Sequence, residues 1–145
     1  MEYTPRYVPP LNFACVEKEL YRSGHPQDRN LSFIKSLKLN RVIFVIDSSK
    51  DSKDSKEKKY TDETIKWREW CLKEGIKFYI VSINEGVRLI REEGEEEAGP
   101  TLIHSLRGVE IVGKVIAQLR EAEQWTISAI AAEYSSFGGI ESDVL

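Results

Sequence analysis

The stretch from residue 101 to residue 113, TLIHSLRGVEIVG, has the order of parts of a phosphate-binding strand, loop and helix. An apolar run ends at His104, a short loop carries Ser105, Arg107 and Gly108, and an apolar helical pattern begins near Ile111. A loop that opens a helix directs unpaired backbone N–H groups, and the positive end of the helix macrodipole, toward one point. The backbone pattern therefore predicts an anion-binding loop, although its side chains are poorly suited to act on a phosphate.

Ser105 and His104 are the side chains of this loop that could serve as nucleophile and base. A serine hydroxyl is far from ionisation at neutral pH, and it becomes a nucleophile only when a positioned base takes its proton. His104 would have to point at Ser105, and the sequence offers no evident acid to orient it. Arg107 is the basic residue of the loop, and it could contact an anion, face solvent or pair with the acidic run Glu92–Glu97.

The segments that must position the loop follow an α/β pattern. Five consecutive apolar residues, Val42 to Ile46, are typical of a strand buried on both faces in a parallel sheet. The pattern predicts a mostly parallel central sheet of four or five strands flanked by helices, with ligands bound beyond the carboxyl ends of the strands. Strands are predicted at 20–22, 42–46, 76–83 and 101–104, and helices at 31–39, 61–73, from 111 onward and 126–137, while 86–100 is ambiguous.

The predicted helices have recognisable caps and apolar faces. Asn30, Thr61 or Asp62, and Thr126 are candidate N-caps. The apolar faces are predicted to consist of Leu31, Ile34, Leu37 and Leu39 in the first helix and of Ile127, Ile130, Ala131 and Tyr134 in the last.

Composition limits the classes of function that remain open. The chain has 145 residues and a formal net charge of -3, so we expect one domain over 1–145 and no partnership with nucleic acid or an anionic membrane. No apolar run approaches the roughly 20 residues that span a bilayer, and the N-terminus does not resemble a signal peptide, so we expect a cytoplasmic protein. The charged, low-complexity segment 48–60 is expected to be a flexible loop.

Cysteine and histidine usage argues against a metal centre. Cys15 and Cys71 are expected to be reduced, small core residues, because two cysteines in an intracellular chain form no disulfide framework. With His25 and His104 as its two histidines, the chain has no cluster of zinc ligands. We therefore expect no metal and no cofactor.

Longer stretches of the chain carry a family resemblance. They are PPLNFACVEKELYRSGHPQDRNLSFIKSLKL near the N-terminus, then RVIFVI, EGIKFYIVSI, TLIHSLRG and QWTISAIAAEYSSF. Together they resemble the plant and fungal atypical dual-specificity phosphatases, a cysteine-phosphatase family that includes inositol-pyrophosphate phosphatases. The resemblance covers nearly the whole chain from about residue 8 and implies a cysteine-phosphatase fold.

Within that resemblance, the loop keeps the frame of an active site and lacks its chemistry. Active members carry a loop similar to His-Cys-x-x-Gly-Lys-His-Arg, in which a thiolate attacks phosphorus and the arginine clamps the phosphoryl oxygens. Here His104 and Gly108 match this loop, with Leu106 and Arg107 at its two variable positions. Ser105 stands at the nucleophile position, Val109 and Glu110 replace lysine and histidine, and Ile111 stands at the clamp position. The exchange removes positive charge from a site that must attract an anion.

The general acid of the family is expected between the third strand and the loop. That segment, NEGVRLIREEGEEEAGP, is shorter than in active members and contains no aspartate. Glu85 is a weak candidate for the acid, and His25 is expected to have no catalytic role.

The resemblance leads to a pseudophosphatase hypothesis. It implies a protein without the catalytic cysteine and arginine that serves as a regulatory or scaffolding subunit in fungal signalling or stress response. Its partners would be proteins, among them an active phosphatase relative. Two alternatives stay open: a residual protein or inositol-pyrophosphate phosphatase, and a non-catalytic sensor that binds a phosphate or inositol phosphate weakly at the loop 105–111.

Overall fold

The computed structural model describes residues 7–47, 61–92 and 98–145. The strands are β1 (Ala14–Glu17), β2 (Leu20–Ser23), β3 (Arg41–Val45), β4 (Lys77–Val81) and β5 (Thr101–His104). The α-helices are α1 (Leu31–Ser36), α2 (Asp62–Lys73), α3 (Ile83–Glu92), α4 (Glu110–Ala122) and α5 (Ile127–Ser136). Short 3-10 helices span Asp28–Asn30 and Glu141–Asp143. The predicted loop 48–60 lies outside the described residues.

The five strands form one sheet in the order β1-β2-β5-β3-β4. β1 pairs with β2 antiparallel, and the other neighbouring strands are parallel. Every residue of β3 and of β5 is buried, as expected of central strands whose two faces are both covered by helices. The predicted fold class, a mostly parallel sheet flanked by helices, is confirmed.

The core has two parts, one on each face of the sheet. Along β3, Ile43 and Val45 belong to the cluster that α3 and α4 cover, whereas Val42 belongs to the cluster with Trp67 and Cys71 of α2. This alternation follows from the period of two along a strand. The helices therefore pack on both sides of β5, the strand that leads into the loop.

Several local predictions differ from the structure. Cys71 is buried as expected, but Cys15 is exposed, because it lies on the unpredicted edge strand β1. Asn30 is the N-cap residue of α1, as predicted, but its side chain makes no capping bond: it accepts from the Gln27 backbone and donates to carbonyls of the N-terminal segment. Helix α1 stops at Ser36, before Leu37 and Leu39.

The predictions for α3 and α5 also need correction. Residues 86–92 of the ambiguous segment 86–100 belong to helix α3, which begins earlier, at Ile83, because Ile83, Val87 and Ile90 pack against the core at helical spacing. In α5, Ile130, Ala131 and Tyr134 are buried as predicted, but Ile127 is 67% exposed. Ile127 follows the N-cap Thr126 directly, so it lies in the first turn of α5.

No helix in the described ranges is both long and apolar enough to cross a lipid bilayer. Nor do those ranges bring three histidine, cysteine or acidic residues together in a group that could hold a metal ion.

Candidate functional site

The loop 105–109 connects β5 to α4 at the carboxyl edge of the sheet. The last residue of β5, His104, pairs with Ser23 of β2 on one side and with Phe44 of β3 on the other. The chain that follows β2 then lies along the loop: the Ser105 amide donates to the Ser23 carbonyl (3.3 Å), and the His25 amide donates to the Leu106 carbonyl (3.1 Å). The predicted loop residues thus occupy the position expected of a binding loop in a parallel sheet.

Gly108 allows the loop to approach the chain after β2 closely. Its φ of +76° lies in the left-handed region, and a Cβ there would stand 2.7 Å from the Ser23 carbonyl carbon and closer still to the Gly24 nitrogen. A Cβ on Gly24 would in turn meet the Arg107 carbonyl oxygen at 2.9 Å. The two glycines form a backbone contact that larger residues would push apart.

Ser105 is turned into the loop and away from solvent. Ser105 is 2% exposed, and its Oγ accepts a hydrogen bond from the Gly108 amide at 3.0 Å. One of the amides that could hold a phosphate oxygen is therefore satisfied within the protein. The residue at the N-cap of α4, Val109, makes no side-chain capping bond.

His104 cannot act as a base toward Ser105, because both of its ring nitrogens are engaged elsewhere. Trp67 Nε1 donates to His104 Nε2 (3.0 Å), and an indole N–H can only donate, so Nδ1 carries the proton and bonds the Ser105 carbonyl oxygen (3.2 Å). The ring also stacks on Phe44, with centroids 4.6 Å apart. Burial, with a contribution from His25, lowers the pKa of His104 to about 3, so the imidazole is neutral at physiological pH.

The low pKa of His104 predicts acid sensitivity. The unfolded chain binds a proton below pH 6.5 and the folded chain does not until about pH 3, so stability falls as pH falls through that window. Between pH 7 and pH 4.5 this group alone should cost about 2–3 kcal/mol. Since His104→Gln keeps one donor and one acceptor but does not titrate, urea unfolding at both pH values should show a smaller acid-induced loss for the variant. Equal losses in the two proteins would contradict this assignment.

His25 lies beside the His104 ring, and both of its own ring nitrogens have hydrogen-bond partners. Its Nδ1 lies 2.8 Å from the Pro26 carbonyl oxygen and its Nε2 lies 3.0 Å from the Thr64 hydroxyl, which ties the turn after β2 to helix α2. The His25 and His104 rings meet edge to face, with centroids 5.2 Å apart. These contacts are consistent with the prediction that His25 has no catalytic role.

Arg107, the basic residue of the loop, pairs with the acidic residue that opens α4. Its Nη1 lies 3.0 Å from Glu110 Oε1, and both side chains are substantially exposed. Of the run Glu92–Glu97 that was considered from sequence, the structure describes Glu92 alone, and Glu92 pairs with Arg88. The pair leaves the loop with no net side-chain charge to attract an anion, while Leu106 presents an exposed apolar side chain at its tip.

Val109 and Ile111 serve as packing residues. Val109 is 5% exposed and lies against the turn after α5, where its methyl groups are 3.7 and 3.9 Å from the Cβ position of Gly138. Ile111 is partly buried and packs against the cluster that contains the apolar face of α4. The positions at which active members are expected to carry lysine and arginine thus contribute to the core in this chain.

Arg22 is a buried cation beneath the loop that sequence reasoning missed. Its guanidinium donates to the Gly108 carbonyl oxygen (Nη2 to O, 3.4 Å) and lies 3.7 Å from the Phe137 ring centroid. Burial lowers its pKa to about 10, so it remains charged. The signal available in the sequence was an arginine within the predicted strand 20–22. Because Arg22 bonds a carbonyl oxygen and an aromatic ring, it supports the loop from below and does not replace the missing clamp.

Glu85, the candidate general acid, is held in its ionised form. It lies in the first turn of α3 and forms a salt bridge with Arg88, and this hydrogen bond lowers the pKa of its carboxyl group. An ionised carboxylate has no proton to give to a leaving group. Glu85 therefore does not carry the proton that a general acid must donate.

Known proteins resemble this chain over most of its length. Residues 7–145 match the group described as the tyrosine phosphatase family. Inositol diphosphatase DSP2 of rice is 31% identical over 93% of this chain, and the tyrosine-protein phosphatase-like protein OCA2 of Saccharomyces cerevisiae is 32% identical over 92%. The chain spans 66% of the rice protein, just under two thirds of its length, and 69% of the yeast protein.

Solved structures resemble the fold over almost its full length. The catalytic core of Siw14 superposes with a TM-score of 0.75 at 25% sequence identity, covering 97% of this chain and 85% of the other. A second structure, the core catalytic domain of the PP-IP phosphatase SIW14 from S. cerevisiae in complex with citrate, has a TM-score of 0.71 at 27% identity, covering 91% and 78% of the two chains.

Proposed function

The chain belongs to the tyrosine phosphatase family, and on that premise we propose that it is a pseudophosphatase, a member that does not hydrolyse phosphoesters and works by binding another protein. The observation that carries the proposal is the state of the loop. The Ser105 hydroxyl is buried and bonded to the Gly108 amide, and the clamp position holds Ile111, a packing residue. Nucleophile and clamp are thus both replaced by groups that stabilise the loop.

Each chemical role of phosphoryl transfer lacks a suitable group. A serine nucleophile needs a base, and the nearby imidazole of His104 is neutral but has its accepting nitrogen bonded to Trp67. The developing charge on the phosphoryl group needs donors and cations, and Arg107 is paired with Glu110. The leaving group needs an acid, and Glu85 is ionised beside Arg88. Independent losses at three roles favour a binding function over a slow enzyme.

The role we propose is that of a regulatory or scaffolding subunit in signalling or stress response, with an active phosphatase relative as one candidate partner. A fold whose catalytic site has decayed is retained when its surface still has a use. The relatives support the family assignment and do not decide between a binding role and an enzyme. The yeast relative is named a phosphatase-like protein, whereas the rice relative is named an inositol diphosphatase.

The experiment that tests the proposal is a hydrolysis assay with two substrates, an inositol pyrophosphate and a phosphotyrosine peptide. We expect phosphate release at the rate of a buffer blank for the unmodified protein, and the same rate for Ser105→Ala. An active member of the family, assayed in parallel, shows that the conditions support turnover. Release well above the blank that disappears in Ser105→Ala would overturn the proposal and establish serine-dependent catalysis.

A thermal-shift titration separates the proposal from the phosphate-sensor alternative. A ligand that binds the folded state raises stability by RT ln(1 + [L]/Kd), so binding would appear as a shift in Tm that grows with concentration. We expect no such shift with orthophosphate or inositol hexakisphosphate, because Ser105 and Arg107 have partners inside the loop. A growing shift that is lost in Arg107→Ala would support the sensor instead.

A further inference from the structure

Strand β4 forms one edge of the sheet, and on its outer side no other described strand pairs with it. The hydrogen bonds at its two ends show which of its backbone groups face β3. The Lys77 amide donates to the carbonyl of the residue before β3 (3.0 Å), and the Val81 carbonyl accepts from the amide of the residue after β3 (2.9 Å). Because the direction of these groups alternates along a strand, the backbone groups of Tyr79 also face β3. Phe78 and Ile80 therefore point two N–H and two C=O groups away from the sheet.

The open groups of this edge are self-complementary. Two residues of an antiparallel pair exchange both backbone bonds when each directs its N–H and C=O at the other strand. A second copy, related by a two-fold axis at Tyr79, would place its Ile80 opposite Phe78 and its Phe78 opposite Ile80, which satisfies all four groups in each chain. An axis displaced by one residue would instead oppose an open residue to Ile76 or Ser82, whose backbone groups already bond within their own chain. The edge thus favours one register, and that register is symmetric.

The side chains of β4 suit the same pairing. Phe78, Tyr79 and Ile80 are half-buried, which leaves part of each apolar surface open to a neighbour. In the symmetric register Phe78 lies beside Ile80 of the second copy on one face of the sheet, and the two Tyr79 rings meet on the other. Pairs of an aromatic residue with an aromatic or β-branched residue stabilise neighbouring strands. Lys77 lies opposite Val81 of the second copy, so no like charges are opposed within the paired strands.

Helix α2 carries exposed apolar side chains on the side that is turned toward this edge. Ile65 and Leu72 are 43% and 51% exposed, and their separation of seven residues places them on one side of the helix. The opposite side of α2 faces α1, since Glu74 at its C-terminal end contacts Lys35 of α1 (3.5 Å). Because β4 is the last strand of the sheet, the side of α2 that points away from α1 is turned toward the open edge.

The middle of α2 lies level with the middle of β4. The Trp67 ring is 6.3 Å from the Phe78 ring, and α2 packs on Val42 of β3 in the same cluster. The helix therefore lies above the gap between β3 and β4. With paired strands about 4.8 Å apart, two copies of α2 would lie about 10 Å from each other across the axis, which is an ordinary distance between packed helices. Pairing of the two β4 strands would thus cover Ile65 and Leu72.

The charges between these two apolar residues balance about the axis. Arg68 and Glu69 are exposed, and no salt bridge among the described residues includes either of them. An antiparallel pair of α2 helices would bring Arg68 and Glu69 of both copies together near the axis, as two positive and two negative charges that sum to zero. Complementary charge of this kind selects a partner. The backbone and the side chains of this surface both favour a second copy of the same chain as its occupant.

We propose that β4 and the side of α2 that carries Ile65 and Leu72 form the interface of a symmetric dimer. In this dimer β4 pairs antiparallel with β4 of the second copy, and the sheet continues from one chain into the other. The pairing satisfies backbone groups that an exposed sheet edge leaves open to other chains. The interface does not include the loop 105–109, so the dimer forms whether or not the chain hydrolyses phosphoesters.

Sedimentation equilibrium of the unmodified protein tests for the dimer. Over a series from about 1 μM to about 500 μM, we expect the mass to rise from the 16.7 kDa of one chain toward twice that value, with a Kd below about 100 μM. A single-chain mass throughout the series would overturn the proposal, and a strand of a different protein would then be the candidate occupant of the edge.

Charge variants of α2 locate the interface. Arg68→Glu and Glu69→Arg each place like charges at the axis, so we expect each variant by itself to dimerise at least about tenfold more weakly. An equimolar mixture of the two variants restores opposite charges and should form a heterodimer. The control Lys66→Glu changes the net charge as Arg68→Glu does, but on the side of α2 that faces 26–31, and should alter the Kd less than about twofold. Equal weakening by the control, or a mixture that stays monomeric, would overturn the proposal.

A proline in β4 tests the backbone pairing. The Ile80 amide points to the open edge, so Ile80→Pro removes no bond to β3 but blocks pairing with a second copy. We expect a folded monomer by circular dichroism and sedimentation, whereas Ile80→Val, which keeps the amide, should dimerise as the unmodified protein does. A folded Ile80→Pro variant that dimerises with unchanged affinity would contradict the assigned register. If the proline variant does not fold, the charge variants decide, because their side chains are exposed.

Discussion

Replacing Gly108 with alanine should destabilise the protein by about 4 kcal/mol or more. The residue has a φ of +76°, and its added Cβ would lie 2.7 Å from the Ser23 carbonyl carbon. That neighbour is backbone, so it cannot rotate away as a side chain could. The loop would have to separate from the chain after β2, breaking the bonds that hold Ser105 and Leu106 there. Urea unfolding monitored by circular dichroism measures the loss.

Gly75 provides the matched control, because it has the same φ of +76° with nothing within 4 Å of its Cβ position. Gly75→Ala therefore introduces the backbone strain without the collision, and it should cost about 1–2 kcal/mol. The difference between the two variants isolates the close approach of the loop. If Gly108→Ala and Gly75→Ala lose equal stability, the contact between the loop and the chain after β2 has no energetic importance.

Rebuilding the loop of an active member should fail to create an enzyme. The variant combines Ser105→Cys, Val109→Lys, Glu110→His and Ile111→Arg. We expect hydrolysis at the level of a blank, since Glu85 stays ionised beside Arg88 and so cannot donate a proton to a leaving group. We also expect a stability loss of about 3–5 kcal/mol, because a lysine would replace a side chain that is 5% exposed and an arginine would replace a packing residue.

The single variant Ser105→Cys is the control for this rebuilding. It changes one atom and should lose less than about 2 kcal/mol, chiefly through the weaker bond from the Gly108 amide to sulfur. Phosphatase assays and urea unfolding are to be run on both variants. Hydrolysis by the fourfold variant that vanishes when Ser105→Ala takes the place of Ser105→Cys would contradict the expectation. It would mean that changes at these four positions are sufficient to make the loop catalytic.

The strands and the loop illustrate what local sequence can predict. The run from Val42 to Ile46 predicts a central strand because, among strands, those covered on both faces are the ones that bury five consecutive apolar residues. Ser105 and Ile111 could be singled out because the chemistry of phosphoryl transfer requires particular groups at those positions. The exposed Cys15 and Ile127 show the limit of such patterns: each is apolar in character, but the decisive fact is whether another element lies over it.

The sequence by itself therefore determined the family, the sheet and the absence of a thiolate and a guanidinium at the two reacting positions. These features depend on residue type and on spacing along the chain, which are visible without coordinates. Only the tertiary structure decided what the remaining groups do. It brings Trp67 to His104, Arg22 beneath Gly108 and the turn after α5 onto Val109, across separations of tens of residues. The physical reason is that protonation, burial and hydrogen bonding depend on neighbours in space, and folding chooses those neighbours.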